Sequence, residues 1–334
     1  MAAARIVVAT LSQLTTKPGG RGRHSNRARR EARWFYLFIS PWLLGFVCLS
    51  LFPLIFALLI SFTNYDGLNL ATVKFLGLSN YLRALQDRNA IFALQRTAVF
   101  ALISVPLNLL CSFCVALMLT RERLRGRGVF RTLFYLPSII PIVATVWIWR
   151  LIMDGNFGLV NGLLSLIRPG TAIAWLVDYP TMVLIIMALW INTGGAMIIF
   201  MAGLQGVPKE LEEAALIDGA NLFQMFRAIT LPLVTPVVFY QLILGIIFSL
   251  QILIEPILLT GIGSGNGLMS TIPPRPNYMY MVHVYNQIFS NQRFGYGAAL
   301  LWLLFLLTLA LTLIVFRTSR YWVYYEVEQE GTRP

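Results

Sequence analysis

The sequence predicts an all-α integral membrane protein with six transmembrane helices, and three observations predict it. Of 334 residues, 57% are hydrophobic and 12% charged, roughly half the charged share of an ordinary soluble domain of about 25%. Mean hydropathy is +0.71. Apolar runs of about 20 residues, the length that crosses the hydrocarbon of a bilayer, recur along the chain.

Six such runs cover residues 35–62, 98–120, 133–153, 182–204, 234–259 and 298–316. An even number of spans places both termini on one side. On the side shared with the termini the tails and loops carry 18 Lys and Arg; the opposite side carries 7, and Arg150 lies within the third run. The excess of basic residues predicts that both termini are cytoplasmic.

Residues 1–33 hold 8 of the 26 basic residues and one acid, Glu31, which reads as a basic, disordered cytoplasmic tail. The basic cluster follows the weakly apolar Ile6-Val7-Val8, the wrong order for a cleaved signal peptide. Residues 34–93 comprise the first span and an external loop, residues 94–317 a five-helix transmembrane domain, and residues 318–334 a cytoplasmic C-terminal tail. No internal repeat is visible. Pro41, Pro53, Pro106, Pro137, Pro141 and Pro256 fall inside the runs, and each frees a carbonyl that neighbouring helices or a water-lined cavity must satisfy. Static packing kinks and a mobile, cavity-bearing bundle are both open on this evidence.

Several chemistries are excluded by composition. A nucleotide-binding P-loop needs Gly-Lys-Ser/Thr, and none of the three lysines, Lys17, Lys74 and Lys209, follows Gly. The net charge of +12 is concentrated in the tail and short loops, as membrane topology requires, so no nucleic-acid partner is expected. Two His and three Cys leave no constellation of nucleophile, base and oxyanion donors. No catalytic residue, cofactor or metal is therefore expected. Cys111 and Cys114 are spaced Cys-x-x-Cys, but lie within an apolar run without nearby His or Cys, which favours packing over zinc or redox chemistry.

The segment between the fourth and fifth runs, residues 206–232, is the most informative. It predicts a helix from Lys209 to Ile217, a turn at Asp218-Gly219, and a second helix from Asn221 to about Ile229 that Pro232 separates from the next span. Glu210, Glu212, Glu213 and Asp218 make it the one acidic cluster on a basic side, and Leu216, Phe223, Met225 and Phe226 supply apolar anchors. A small acidic and apolar knob suits docking into a groove on a soluble partner.

Glu213-Ala214-Ala215, three residues, Gly219, nine residues, Ile229, one residue and Leu231-Pro232 resemble the EAA motif of ABC-transporter permeases served by an extracellular solute-binding protein. Phe75-Leu76-Gly77-Leu78-Ser79-Asn80-Tyr81, Phe130-Arg131, Leu136-Pro137, Gly158-Leu159-Val160-Asn161 and Phe294-Gly295-Tyr296-Gly297-Ala298-Ala299 resemble the sugar-import branch, in particular its MalF-like members. The resemblance implies the type I importer permease fold in a prokaryotic inner or plasma membrane. It implies a second, MalG-like permease subunit, two copies of a cytoplasmic ATPase, a solute-binding protein and a carbohydrate or polyol cargo. ATP hydrolysis would then belong to the partner, and the chain itself would be no enzyme. In the coupling loop, Glu213 would contact the ATPase, Ala214 and Ala215 would permit close helix approach, and Asp218-Gly219 would make the turn. The stretch Thr260-Gly261-Ile262-Gly263-Ser264-Gly265-Asn266-Gly267, followed by Pro273-Pro274 and Pro276, departs from the family pattern.

Polar and small residues at membrane depth mark a path or a helix contact. Asn192-Thr193-Gly194-Gly195 interrupts the fourth run; Ser249, Gln251 and Glu255 occur in the fifth. The resemblance to the maltose permease places Asn192, Gly195, Ser249 and Ile252 on the sugar path, with an apolar residue at Ile252 where relatives have a polar one. Close packing is the competing role for Gly194, Gly195 and Ser249. For Glu255 it is snorkelling to the interface, which avoids about 2.5–3.5 kcal/mol of central burial. Trp147, Trp149, Trp190 and Trp302 fit either sugar stacking or membrane anchoring, and Tyr278, Tyr280, Tyr285 and His283 fit packing or partner contact better than metal. An ion-gradient transporter would require several buried acids, where only Glu255 qualifies. A peptide or amino-acid permease is the nearest rival within the ABC class.

Overall fold

A computed structural model describes residues 26–120, 124–170, 172–260 and 275–324, and the chain divides into two units, residues 1–57 and 58–334. The first unit is built on α1 (Asn26–Phe46), which continues through a π turn at Val47–Leu51 into a helix, Phe52–Ser61. It begins inside the segment expected to be a disordered tail, because Arg, Ala and Glu at 27–33 are good helix formers that extend a helix the apolar run nucleates. Its most apolar stretch is long and hydrophobic enough to cross a membrane, a surface that requires lipid or another helix rather than water.

In the second unit, Thr63 and Phe75 form an isolated antiparallel bridge. Asn80, on α2 (Ser79–Gln86), is buried and donates to the Ser61 carbonyl at 2.8 Å and the Thr63 carbonyl at 2.7 Å. Its amide thus satisfies carbonyls that a helix end leaves without a partner. Then follow α3 (Arg88–Thr120), α4 (Arg127–Ile139), α5 (Ile142–Ile152), α6 (Leu159–Ile167) and the short α7 (Trp175–Asp178). Asn161 ties the α5–α7 connection together, donating to Gly155 O and Ile173 O and accepting from Trp175 Nε1. Next come α8 (Pro180–Gln205), α9 (Lys209–Ile217), α10 (Leu222–Leu250), α11 (Ile254–Thr260), α12 (Tyr280–Tyr285) and α13 (Phe294–Ser319). Helix α8 packs along α3 and α4, α10 along α3, and α11 against α5.

Among the described residues, five helices are long and apolar enough to cross a membrane, and the bent pair α4–α5 makes a sixth candidate. Three expected elements differ in form. The third run is two helices meeting at 102°, because Pro141 drives the preceding residue out of the helical region and Ile140 is extended, with ψ 131°. The fifth run stops at Leu250 and restarts at Ile254. Pro256 has no N–H for Ile252 O and sits in the first turn of the new helix, where no such bond is required. Conversely, Pro232 does not separate the second loop helix from the span: α10 runs through it. A π turn at Phe226–Thr230 precedes it, in which the Leu231 N–H reaches Phe226 O. Pro53 follows the π turn of the first unit at the same spacing, and the wider turn makes room for the ring and its missing donor. Of the stretch that departs from the family pattern, Thr260 ends α11 and Pro276 lies in a short 3-10 turn, while residues 261–274 lie outside the described residues, as do residues 1–25 and 325–334 of the two tails.

A buried polar cluster joins α12, α13 and the start of α3. His283 is 1% exposed; its Nδ1 lies 2.8 Å from the Tyr278 hydroxyl and its Nε2 3.5 Å from Asp87 Oδ2. Asp87 also accepts from Tyr296 at 2.8 Å and from Asn89 N. Burial pulls the His283 imidazole below its ordinary value, against the opposing pull of Asp87. Partial burial pushes Asp87 up, but the Tyr296 hydroxyl, the Asn89 and Ala90 amides and His283 outweigh it and leave the carboxyl below its ordinary value. A histidine so depressed binds its proton more readily when unfolded. Its share of stability is complete above about pH 6.5 and is lost as pH falls through the lower folded value. The Asp87 share is lost only below about pH 3.9. Thermal unfolding of the assembled protein is therefore expected at lower temperature at pH 5 than at pH 7.5, with a smaller difference in His283→Gln. An equal pH dependence in both proteins would disprove the assignment.

Candidate functional site

The hairpin at 206–232 and a cavity in the second unit are the two candidate sites. In the hairpin, α9 ends with Asp218 N–H bonded to Ala214 O at 3.0 Å and Ala220 N–H to Ala215 O at 2.9 Å. Gly219 lies between them at φ +79°, the left-handed region that glycine enters without cost. Asn221 then caps the next helix through a reciprocal capping box with Gln224. Glu213, Ala214, Asp218 and Gly219 are exposed and Ala215 is half-buried. The exposed apolar anchors are Leu211, Leu216, Ile217, Leu222 and Phe223. Met225 and Phe226, expected among them, instead turn partly inward, with the Phe226 ring 6.0 Å from that of Phe113 on α3. Helical period explains it: they follow the capped turn on the face that continues into the buried side of α10.

The cavity has a volume of about 700 Å³. Its walls come from α3, α8, α10, the break at 251–253 and the start of α11, with Ser138 contributed by α4. Asn192, Gly195, Ser249, Gln251, Ile252 and Glu255 all lie on its lining. One buried apolar cluster, around Phe200, Val207 and Val234, lies toward the hairpin; another, around Met153, Met187 and Ile257, lies toward the other ends of the helices. Between them the α10–α11 break brings non-helical backbone to membrane depth, which is tolerated where it lines a cavity or is covered by protein.

Adjacent glycines on α8 face different surroundings. A Cβ on Gly194 would collide with the Phe134 carbonyl oxygen and stand 2.8 Å from Tyr135 Cα, whereas one on Gly195 would meet nothing within 4 Å. Gly194 is a close-packing position against α4, and Gly195 opens to the cavity. The polar walls are fastened to backbone: Asn192 Nδ2 donates to Ala188 O at 2.8 Å, Gln241 Nε2 to Ala196 O at 3.2 Å, and Ser249 Oγ to Ile246 O at 3.0 Å. Ser104, Asn108 and Gln241 also line the cavity and escaped sequence reasoning. The polar-residue-in-an-apolar-run criterion that singles out Asn192 would have found Asn108 and Gln241. None of Trp147, Trp149, Trp190 and Trp302 reaches the lining. Trp149 packs edge-on to Trp190, and Arg150 sits over Trp147 and donates to Leu258 O at 3.1 Å. Cys48, Cys111 and Cys114 are free thiols. Among the described residues no group of three or more His, Cys, Asp or Glu side chains could hold a metal.

Broken membrane-spanning helices around a cavity, with a helical hairpin between two of them, form an arrangement that membrane transport proteins use. Residues 112–328 match the family model of the binding-protein-dependent transport system inner membrane component. The chain belongs to this family, and is thus a multi-pass permease subunit of a binding-protein-dependent ABC importer. It is 35% identical over 311 residues, 92% of this chain and 96% of the relative, to the probable ABC transporter permease protein YesP of Bacillus subtilis. It is 33% identical to the trehalose/maltose transport system permease protein MalF of Thermococcus litoralis, over 87% of this chain and 95% of that one. To the lactose transport system permease protein LacF of Rhizobium radiobacter it is 30% identical, over 85% and 93%. Among solved structures, a chain of a bacterial alginate ABC transporter in complex with an alginate pentasaccharide-bound periplasmic protein superposes with TM-score 0.74. That match has 20% identity and covers 87% of this chain and 95% of that one; it shows the type I importer fold.

Proposed function

We propose that this chain is one permease subunit of an ATP-driven carbohydrate or polyol importer, paired with a second permease on two ATPase subunits and supplied by an extracellular solute-binding protein. In this reading both termini are cytoplasmic, the hairpin docks on the ATPase through Glu213 and the exposed Leu216 and Phe223, and Asn192, Gly195, Ser249, Gln251, Ile252 and Glu255 line the solute path. The observation that carries it is continuity. The hairpin is bounded by α8 and is part of the same rod as α10, and these two helices form cavity walls. A displacement of the hairpin is transmitted to both walls, which alternating access requires. The sugars named for the relatives lend support to the cargo class, as do the cavity's amide and hydroxyl groups.

The test is ATPase activity of the complex reconstituted with its companion permease, ATPase and binding protein, across a panel of neutral sugars, polyols and amino acids. Stimulation by a sugar or polyol with the binding protein is expected; stimulation by amino acids alone would transfer the cargo to that class. Asn192→Ala is expected to change solute affinity or selectivity by about tenfold, the loss of roughly one hydrogen bond's worth of binding, with a much smaller change in basal ATPase. Unchanged uptake across the panel would remove Asn192 from the path.

A further inference from the structure

Among the described residues, the cavity lining contains one ionisable side chain, Glu255, and no Lys, Arg or His. Glu255 is the second residue of α11, held at the cavity by the break that Pro256 imposes. Part of the donor capacity of the neutral groups around it is already spent on backbone. The Asn192 and Gln241 amides and the Ser249 and Ser138 hydroxyls each donate to a carbonyl, which leaves acceptor oxygens available to a solute. A wall of this kind offers a partner for hydroxyl hydrogens but no fixed positive charge for a carboxylate. In its ionised form, Glu255 repels a carboxylate across these low-dielectric walls far more strongly than it would in water. The fold does not dictate this choice, since a chain of the same fold comes from an importer of the acidic polysaccharide alginate.

We propose that Glu255 makes this half of the cavity select by charge, admitting hydroxyl-rich neutral sugars and disfavouring sugars that carry a carboxylate. The proposal rests on the carbohydrate reading above and names the substrate class within it.

The test is direct binding to the assembled permease–ATPase complex in lipid nanodiscs, without binding protein, read by saturation-transfer NMR. The probes are methyl β-glucoside and methyl β-glucuronide, which differ only in a hydroxymethyl against a carboxylate. The wild-type complex is expected to prefer the glucoside by about tenfold or more, equivalent to about 1.4 kcal/mol. In Glu255→Gln that ratio is expected to fall toward unity, and in Glu255→Asp to persist. Equal binding of both probes by the wild type overturns the charge selection without recourse to any variant. So does an unchanged ratio in a Glu255→Gln complex that co-purifies intact. Binding of neither probe by the wild type overturns the selection as proposed, whereas the carbohydrate reading itself falls only if no sugar or polyol stimulates the ATPase in the panel above, a distinct result.

Discussion

Gly219→Val is expected to abolish ATP-driven uptake while leaving membrane insertion intact. Gly219 sits at φ +79°, where a β-branched residue is a genuine outlier and even an ordinary L-residue pays about 1–2 kcal/mol. A Cβ there meets nothing within 4 Å, so the cost is conformational rather than a clash. The chain relieves it by moving φ back below zero, which swings the following peptide and breaks the Ala220 N–H bond to Ala215 O. The angle between α9 and α10 changes, and the exposed acidic and apolar residues no longer present one surface. Transport by the reconstituted complex is expected to drop at least about tenfold, and Gly219→Asn, which tolerates this conformation, to recover most of it. Full uptake by the Val variant would remove the turn from the coupling mechanism.

Gly194→Val is expected to prevent stable assembly of the bundle, whereas Gly195→Ala is expected to leave it folded. At Gly194 the obstacle is backbone, the Phe134 carbonyl and Tyr135 Cα of α4, and backbone cannot rotate aside as a side chain can. Helices α4 and α8 must separate, and overpacking of this kind costs typically about 1–3 kcal/mol and more when backbone is the obstacle. Helix association in a bilayer depends on close van der Waals approach, so the loss falls on the contact that holds the two together. The measurement is thermal stability in detergent by fluorescence size-exclusion, and equal melting of the two variants would refute the packing assignment. Gly195→Ala should instead appear in uptake, because its methyl enters the cavity.

Much of the architecture was legible in the sequence because run length and composition are local properties. The apolar runs mark the membrane helices, the Asp218-Gly219 pair marks the turn, and Asn192 stands out against apolar neighbours. Where the helices break was less legible. Pro53, Pro106 and Pro232 lie within continuous helices while Pro141 and Pro256 accompany breaks, and proline itself is identical in all five. The difference is whether a π turn or neighbouring helices can absorb the missing donor.

The sequence by itself determined that this is a helical membrane protein, where its apolar runs and the helical hairpin between the fourth and fifth of them fall, and that Asn192 stands among apolar neighbours. Only the tertiary structure decided which face each residue takes. Neighbouring residues on a helix point about 100° apart. Gly194 is therefore pressed against α4 and Gly195 faces the cavity, though nothing in their local sequence distinguishes them. By the same token Asn108 and Gln241 join Asn192 at the cavity from other helices, a meeting set by how α3, α8 and α10 pack.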